Sequence, residues 1–452
     1  MGRHKRGDLL TVTIDDLAFG GEGVGRVDGY VVFVKGGVPG DSLQVRLTQA
    51  RSRFGRGVIE AIDQPSPHRV EPPCPYFGRC GGCRLQQLNY ETQLALKAKQ
   101  VADCLQRIGG LGEIPLHPII GAPELYGYRN KMEFTVAKAD GQTVVGLHEA
   151  ERYDVVLDIE RCLLQSERMN GLLNEVRRFF RERQLSVYDQ ESGEGLLRFM
   201  MLREGKRTGE AIVNIVTAQP ALHVFSDLTQ RLVGSQVTGV VVNVNPKKAS
   251  VAVGVEEHLI GGRDHIREEI GGLTFQVSAN SFFQTNTLQA ERLFGLVQEY
   301  AGLSGDETVV DLYCGTGAIS LLLAKRARKV YGIEVAPAAI ADAQRNAKAN
   351  GIDNCQFIQG EVRFSLPELI RQGLRAEVAV ADPPRAGFHP KALKALLNLF
   401  PRRLVYVSCN PSTLARDLSD LVQGGYRIEA VQPIDMFPHT PHIEVVAWLD
   451  RI

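Results

Sequence analysis

The chain has 452 residues, of which 44% are hydrophobic and 23% charged, with 52 Lys plus Arg set against 52 Asp plus Glu. This is the balance of a globular protein with two to four cores of about 100–200 residues each. It excludes intrinsic disorder, collagen-like repetition and a protein that coats nucleic acid by bulk charge, though not a local basic patch.

No apolar run approaches the roughly 18 residues of a spanning helix, and the first residues lead into no secretory signal. The eight cysteines are too sparse for a disulfide framework. These features predict a cytoplasmic protein with no membrane contact and no obligate protein partner.

Residues 1–60 read as a small all-β unit. Runs at 9–14, 29–34 and 42–47 are separated by Gly20-Gly-Glu-Gly-Val-Gly25 and Val38-Pro-Gly-Asp41. The glycine run opens no helix and precedes no Lys-Ser or Lys-Thr, so tight turns of a barrel explain it better than a phosphate loop does. Arg46, Arg51, Arg53 and Arg56 have no acidic residue among them. They suit phosphate contact, and a solvated charged turn accounts for them equally well.

A Pro-rich connector follows, then three cysteines within ten residues, Cys74-x5-Cys80-x2-Cys83, and a helix over 90–108. Between 125 and 262, strands at 132–137, 143–148, 210–217 and 237–244 surround a helix at 167–184, an α+β platform with no legible catalytic motif. From about residue 285 the texture alternates. Helices at 288–301, 318–327, 338–350 and 412–423 are interleaved with strands at 308–313, 329–335, 355–359, 378–382 and 403–408. That pattern predicts a doubly wound, Rossmann-like parallel sheet whose ligands bind beyond the strands' carboxyl ends. The expected units are 1–60, 61–275 and 276–452.

Four of those strand ends carry chemistry. Asp311-Leu-Tyr-Cys-Gly-Thr-Gly317 joins the first strand to its helix, and Glu334 ends the next strand, nineteen residues after Gly315. Glycines there let the backbone approach a ligand, and a carboxylate at that distance suits ribose hydroxyls. A dinucleotide fold wants a third glycine where Ser320 stands. The pattern suits S-adenosylmethionine, which lacks a pyrophosphate, and a tight turn without ligand is the bland alternative.

Asp382-Pro-Pro-Arg385 ends a buried strand, its prolines stiffening the loop. Arg385 occupies the place where amino-group methyltransferases carry an aromatic residue. Val405-Tyr-Val-Ser-Cys-Asn-Pro411 sets Cys409 between a buried strand and a helix N-terminus, whose field favours a thiolate. A buried structural cysteine is the competing reading. Glu444 heads an apolar strand, where a raised pKa would suit a general base. His439 and His442 lack a third metal ligand nearby.

Together Asp311-Leu-Tyr-Cys-Gly-Thr-Gly317, Asp382-Pro-Pro-Arg385, Ser408-Cys-Asn-Pro411 and His442-Ile-Glu-Val445 closely resemble the RNA uracil-5-methyltransferase family. So do Ser281-Phe-Phe-Gln-Thr-Asn286 and Tyr128-Arg-Asn-Lys131, and residues 1–60 resemble the family's RNA-binding TRAM barrel. The resemblance implies S-adenosylmethionine as methyl donor, a uridine in folded RNA as substrate, and cofactor contacts from Gln284, Tyr313, Glu334 and Asp382. It implies Cys409 as nucleophile toward carbon 6, Glu444 as base, and Phe282 or Phe283 stacking on the extruded base or filling its gap, with core packing as their alternative.

Cys74, Cys80, Cys83 and a distant Cys162 resemble the family's iron-sulfur site, which implies a 4Fe-4S cluster, with zinc as the other occupant of four thiolates. Cys104, Cys314 and Cys355 fit packing roles. The barrel with four cysteines points to large-subunit (23S) ribosomal RNA, since the family's bacterial transfer-RNA branch typically lacks both. A transfer-RNA uridine-54 target is the alternative within the family. The alternatives of other classes are a non-catalytic RNA-binding assembly factor and a dinucleotide oxidoreductase.

Overall fold

The computed structural model describes residues 4–248 and 251–452, so the first three residues of the expected barrel lie outside it. Strands β1 (Leu9–Leu17), β2 (Gly23–Val27), β3 (Tyr30–Lys35), β4 (Ser42–Ala50) and β5 (Phe54–Gln64) close a barrel in the order β1-β2-β3-β5-β4. Alternation turns Val12, Ile14, Val32, Val34, Leu43 and Val45 inward.

The glycine run divides. Gly20 and Gly21 make the turn with positive φ, whereas residues 23–25 belong to β2. A Cβ on Gly25 would lie 2.2 Å from the Thr13 carbonyl oxygen, so glycine is what lets β2 lie against β1. Of the four arginines, Arg46 is tied to Glu60 (2.6 Å) and Arg56 to Glu22 (3.3 Å). Arg51 and Arg53 are exposed between β4 and β5.

Helix α1 (Tyr90–Arg107) is capped by Asn89, whose side chain accepts from Thr92 N. A seven-stranded sheet follows, ordered β12-β11-β10-β9-β6-β7-β8. Its strands are β6 (Lys131–Ala139), β7 (Gln142–Glu149), β8 (Arg152–Asp158), β9 (Leu197–Glu204), β10 (Ala211–Thr217), β11 (Gly239–Val244) and β12 (Glu256–Gly262). The helices α2 (Glu167–Glu182) and α3 (Ser226–Leu232) cover it, with Met169, Leu172, Val176, Phe179 and Phe180 of α2 in its core.

A hairpin, β13 (His265–Ile270) and β14 (Leu273–Ser278), buries Ile266, Phe275 and Val277 in the C-terminal core. The expected boundary at residue 275 falls inside β14. Residues Val101 and Leu105 of α1 pack into a second C-terminal core cluster, with Val310, Leu404 and Leu414, and isolated bridges join Leu116 to Val431 and Ile120 to Ile434. The first half of the chain is thereby fixed to the last.

The C-terminal sheet contains β15 (Thr308–Leu312), β16 (Lys329–Glu334), β17 (Cys355–Gln359), β18 (Val378–Ala381), β19 (Arg403–Ser408), β20 (Tyr426–Ile434) and β21 (Glu444–Arg451). Its order is β17-β16-β15-β18-β19-β21-β20, parallel except for β21, which runs antiparallel to both neighbours. Helices α4 (Thr287–Ala301), α5 (Ala318–Ala324), α6 (Pro337–Ala349), α7 (Val362–Arg371), α8 (Pro390–Leu399) and α9 (Pro411–Gln423) accompany it. Among them α7 carries Pro367 in its interior, which hides it from a breaker-based reading. The mixed α/β architecture with an N-terminal barrel and a Rossmann-like sheet follows the sequence reading.

Candidate active site

The strand order reverses between β15 and β18, and there, beyond their carboxyl ends, opens a cavity of about 1220 Å³. Gln284, Tyr313, Glu334, Asp382, Cys409 and Glu444 all line it. These six residues are scattered over 161 positions of sequence, and the fold brings them to one place.

On the cofactor-loop side, Tyr313 adopts φ +67°, a left-handed conformation unusual outside glycine. Its N–H and that of Cys314 both donate to Ile333 O, at 2.9 and 3.1 Å, which holds the turn. The two glycines differ in purpose. A Cβ on Gly315 would meet open space, whereas one on Gly317 would stand 3.0 Å from Ala343 Cβ and the Phe357 ring. Gly315 thus frees the ligand side of the loop, and Gly317 lets α5 pack. Glu334 accepts from Gly315 N (3.2 Å) and Ala336 N (2.8 Å), which aims its carboxylate at the loop. Ser320 is no failed glycine: its hydroxyl donates to the buried Asp311 carboxylate at 2.5 Å. Burial pushes the Asp311 carboxyl up to about 7 against that bond.

The reactive side is built from two loops laced together. Asn410 Nδ2 and Thr413 Oγ1 donate to Arg385 O (3.0 and 3.2 Å), and Phe388 N donates to the buried Asp417 carboxylate (2.8 Å). Asn410 also caps α9 by accepting from Ser412 N (3.1 Å). Antiparallel pairing sets Ser408 opposite Val445, so the next residue of each strand, Cys409 and Glu444, falls at the same sheet end.

The electrostatics correct one expectation. The field of α9 does not make Cys409 a thiolate. Burial, reinforced by Glu444 and Asp382, pushes the thiol up to about 11, with Arg385 opposing. Burial also raises Asp382 to about 7, and it raises Glu444, 5% exposed, well above the ordinary carboxylate range. In the free protein Cys409 is therefore a thiol at neutral pH, and burial biases Glu444 toward its protonated form.

Phe282 and Phe283 part company. Phe283 is 4% exposed and packs on Phe275, whereas Phe282 is 68% exposed at the cavity rim. The two upstream motifs meet: Asn130 Nδ2 donates to Gln284 O (2.9 Å), and Asn130 N to Thr285 O (2.8 Å). Phe388, Arg416, Phe437 and His442 also line the cavity, and nothing in their sequence settings had singled out the first three. His442 is pushed down to about 4 by burial, helped by Arg385. His439 lies elsewhere, stacked on Tyr126 with ring centroids 4.4 Å apart.

Cys74, Cys80, Cys83 and Cys162 surround a second cavity, of about 160 Å³, together with Gln86 and Arg129. Arg129 Nε is buried there without a hydrogen-bond partner. Among the described residues, no group of three or more His, Cys, Asp or Glu side chains is disposed to hold a metal ion. The four cysteines of the sequence expectation line one cavity, and a metal or cluster there is not shown. Cys104 and Cys355 make packing contacts with Ser412 Oγ (3.6 Å) and Ser320 O (3.8 Å). Cys314, which also faces the large cavity, fits against Gly332. No helix among the described residues is long and apolar enough to cross a membrane.

Residues 3–59 match the TRAM domain family, and residues 251–452 match the tRNA (Uracil-5-)-methyltransferase family. A Bacillus cereus protein named "uncharacterized RNA methyltransferase" is 40% identical over 450 residues, 99% of this chain and 98% of its own. A Halalkalibacterium halodurans protein given the same description is 42% identical over 447 residues, 98% of this chain and 97% of its own.

Among solved structures, the tRNA (uracil-54, C5)-methyltransferase of Pyrococcus abyssi in complex with S-adenosyl-L-homocysteine superposes with a TM-score of 0.78 at 32% identity. It covers 97% of this chain and 100% of its own. Coverage that complete includes the barrel, so the barrel by itself does not point away from transfer RNA. The matched families and the full-length relatives agree, and the chain belongs to the RNA uracil-5-methyltransferase family.

Proposed function

We propose that the protein methylates carbon 5 of a specific uridine in a folded RNA, working in the cytoplasm with S-adenosylmethionine as donor and Cys409 and Glu444 as catalytic residues. The observation that carries this reading is the convergence of Cys409, Glu444, Asp382, Glu334, Tyr313 and Gln284 on one cavity. The Pyrococcus enzyme's bound S-adenosyl-L-homocysteine supports the donor. The residues suit it. Glu334 faces the glycine turn as a ribose acceptor, Tyr313 and Gln284 supply walls, and Asp382 supplies an acid for the cationic end.

Bound there, S-adenosylmethionine supplies an electrophilic methyl group. Carbon 5 of uracil is too weak a nucleophile to accept it directly. Addition of the Cys409 sulfur to carbon 6 gives an enolate whose carbon 5 can form the new carbon–carbon bond. Glu444 then takes the carbon-5 proton, the carbon 5–carbon 6 double bond re-forms, and the sulfur leaves. Burial disfavours the anionic form of both groups, so filling the site must shift them toward it. A cation seated beside Asp382 favours their anionic forms, as Arg385 does already. The exposed Phe282 at the rim is placed to stack on an extruded base.

Ribosomal RNA of the large subunit is the first target under this reading. Transfer RNA is the second, favoured by the full-length likeness to the Pyrococcus enzyme. The four-cysteine cavity is read as the seat of a 4Fe-4S cluster. Four cysteines lining one cavity suit such a cluster, with zinc as the other occupant of four thiolates.

The test is incubation with unmodified ribosomal and transfer RNA carrying 5-fluorouridine. Fluorine cannot leave carbon 5 as a proton does, so a methylated RNA–protein adduct is expected that requires S-adenosylmethionine and vanishes in Cys409→Ala. Sequencing the trapped RNA names the uridine. Tight RNA binding without any adduct would replace this reading with a non-catalytic assembly factor, and methyl transfer surviving Cys409→Ala would refute the mechanism.

A further inference from the structure

The segment joining β20 to β21 delivers Glu444 to the cavity, and it is an unusual loop. Asp435, Met436, Pro438, His439 and Thr440 are all buried. A buried loop cannot leave its carbonyls to water and must find donors for them. Here five consecutive carbonyls do so, each with at least one donor from a distant part of the chain. Gln289 Nε2 donates to Asp435 O (2.8 Å) and Asn286 Nδ2 to Met436 O (3.0 Å), both from the start of α4. Lys97 Nζ of α1 donates to Phe437 O (3.2 Å) and the Tyr128 hydroxyl to Pro438 O (3.0 Å). The backbone N–H groups of Arg84 and Leu85, directly after Cys83, donate to His439 O (2.9 and 3.1 Å).

Gln93 completes the grip. Its Oε1 accepts from His439 N (3.0 Å), and its Nε2 faces His439 Nδ1 at 3.2 Å. His439 sits at φ +65°, a conformation that a residue other than glycine keeps only when its surroundings over-determine it. From this clamp to Glu444 there is no slack: Thr440 Oγ1 donates to Phe437 O (2.8 Å) and in turn accepts from His442 N (3.3 Å).

We infer that Tyr128 and Gln93 are positioning residues for Glu444, acting from outside the cavity by clamping the 435–440 loop. Neither lines the cavity, and both are buried, so neither touches RNA or methyl donor there. The inference rests on the carbon-5 reading for one consequence. Glu444 acts only after the methyl group has transferred, so a loosened clamp slows resolution of the covalent adduct and leaves its formation alone. A misplaced base of about 1 Å is enough to cost such a step heavily.

The experiment compares Tyr128→Phe and Gln93→Met with a matched control, Tyr426→Phe. Tyr426 is likewise fully buried and donates to a prolyl carbonyl, Pro401 O, at 2.8 Å, far from the loop. With 5-fluorouridine RNA, both test variants should form adduct within about twofold of the parent rate. With ordinary RNA, turnover should fall on the order of 10-fold and the methylated adduct should accumulate. Equal loss of both steps, no loss of either, or the same partition in Tyr426→Phe would overturn the inference. Hydrogen exchange reads the clamp without RNA. The His439 and Thr440 amides should exchange on the order of 10-fold faster in both test variants and not in Tyr426→Phe. Unchanged exchange overturns the clamp, whereas a parent that forms no adduct overturns the carbon-5 reading instead.

Discussion

The buried pair Lys97–Asp435 gives the sharpest energetic prediction. Lys97 is 2% exposed and Asp435 0%, and Nζ lies 2.6 Å from Oδ1. Asp435 also accepts from Tyr90 OH (2.9 Å) and Phe437 N (3.3 Å). Lys97→Met leaves a buried carboxylate with only those two donors, a loss of about 3–5 kcal/mol for breaking one side of a buried pair. The pair itself is worth far less than that. Burial holds the Lys97 ammonium below its usual range even beside Asp435, so desolvation outweighs the attraction. The double variant Lys97→Met/Asp435→Asn should therefore recover most of the loss and end within about 1–2 kcal/mol of the parent. Urea unfolding followed through the single tryptophan, Trp448 on β21, reads the sheet these residues brace. A single variant losing under about 1 kcal/mol, or a double variant losing the sum of both singles, would refute the reasoning.

Other predictions follow from the same structure. Because burial raises Cys409 to about 11, its alkylation by iodoacetamide in the free protein should keep accelerating with pH through pH 10, and a plateau near the ordinary thiol range of about 8.5 would contradict this. Burial alone would raise the Glu210 carboxyl, but hydrogen bonds from Arg267 and Arg263 outweigh it and hold the group at about 2, as bonds from Ser304 do for Glu307. Both folded values lie below the unfolded one. Their stabilisation is therefore complete above about pH 5 and lost as pH falls toward 2, and Glu210→Gln should flatten the acid limb of a stability–pH curve. Gly315 (φ +53°) and Gly317 (φ +79°) both stand where an L side chain is strained, so alanine at either should lower thermal stability. Gly317→Ala, crowded also by Ala343 and Phe357, should lose more, and Gly315→Ala should in addition weaken S-adenosyl-L-homocysteine binding measured by calorimetry. Protein purified without oxygen should carry about four iron and four sulfide per chain, lost in Cys162→Ser, and stoichiometric zinc would count against the cluster.

How much of this was legible beforehand follows from particular residues. The change from irregular strands to alternating helix and strand near residue 285 announced the C-terminal sheet, since the period of apolar residues is local information. The loops at Asp311, Asp382 and Cys409 were legible for the same reason, being strand ends marked by Gly, Pro and Asn. The strand β5 and the helix α7 were not anticipated. β5 reads as a strand only beside β3 and β4, and α7 holds Pro367 within its turns.

Which residue types stand at the strand ends is written in the chain, and with them the family. How those groups are set against one another emerges only in the packed fold. The register of β19 on β21 places Cys409 beside Glu444 across 35 residues of chain, and a burial no motif encodes disfavours the anionic form of both. Likewise Cys162 joins three cysteines some eighty positions away, and the loop before Glu444 is held by donors from α1, α4 and the Cys83 turn. Local sequence fixes torsion preferences and side-chain type. Desolvation and long-range hydrogen bonding depend on which surfaces meet, and that is settled only when the whole chain has packed.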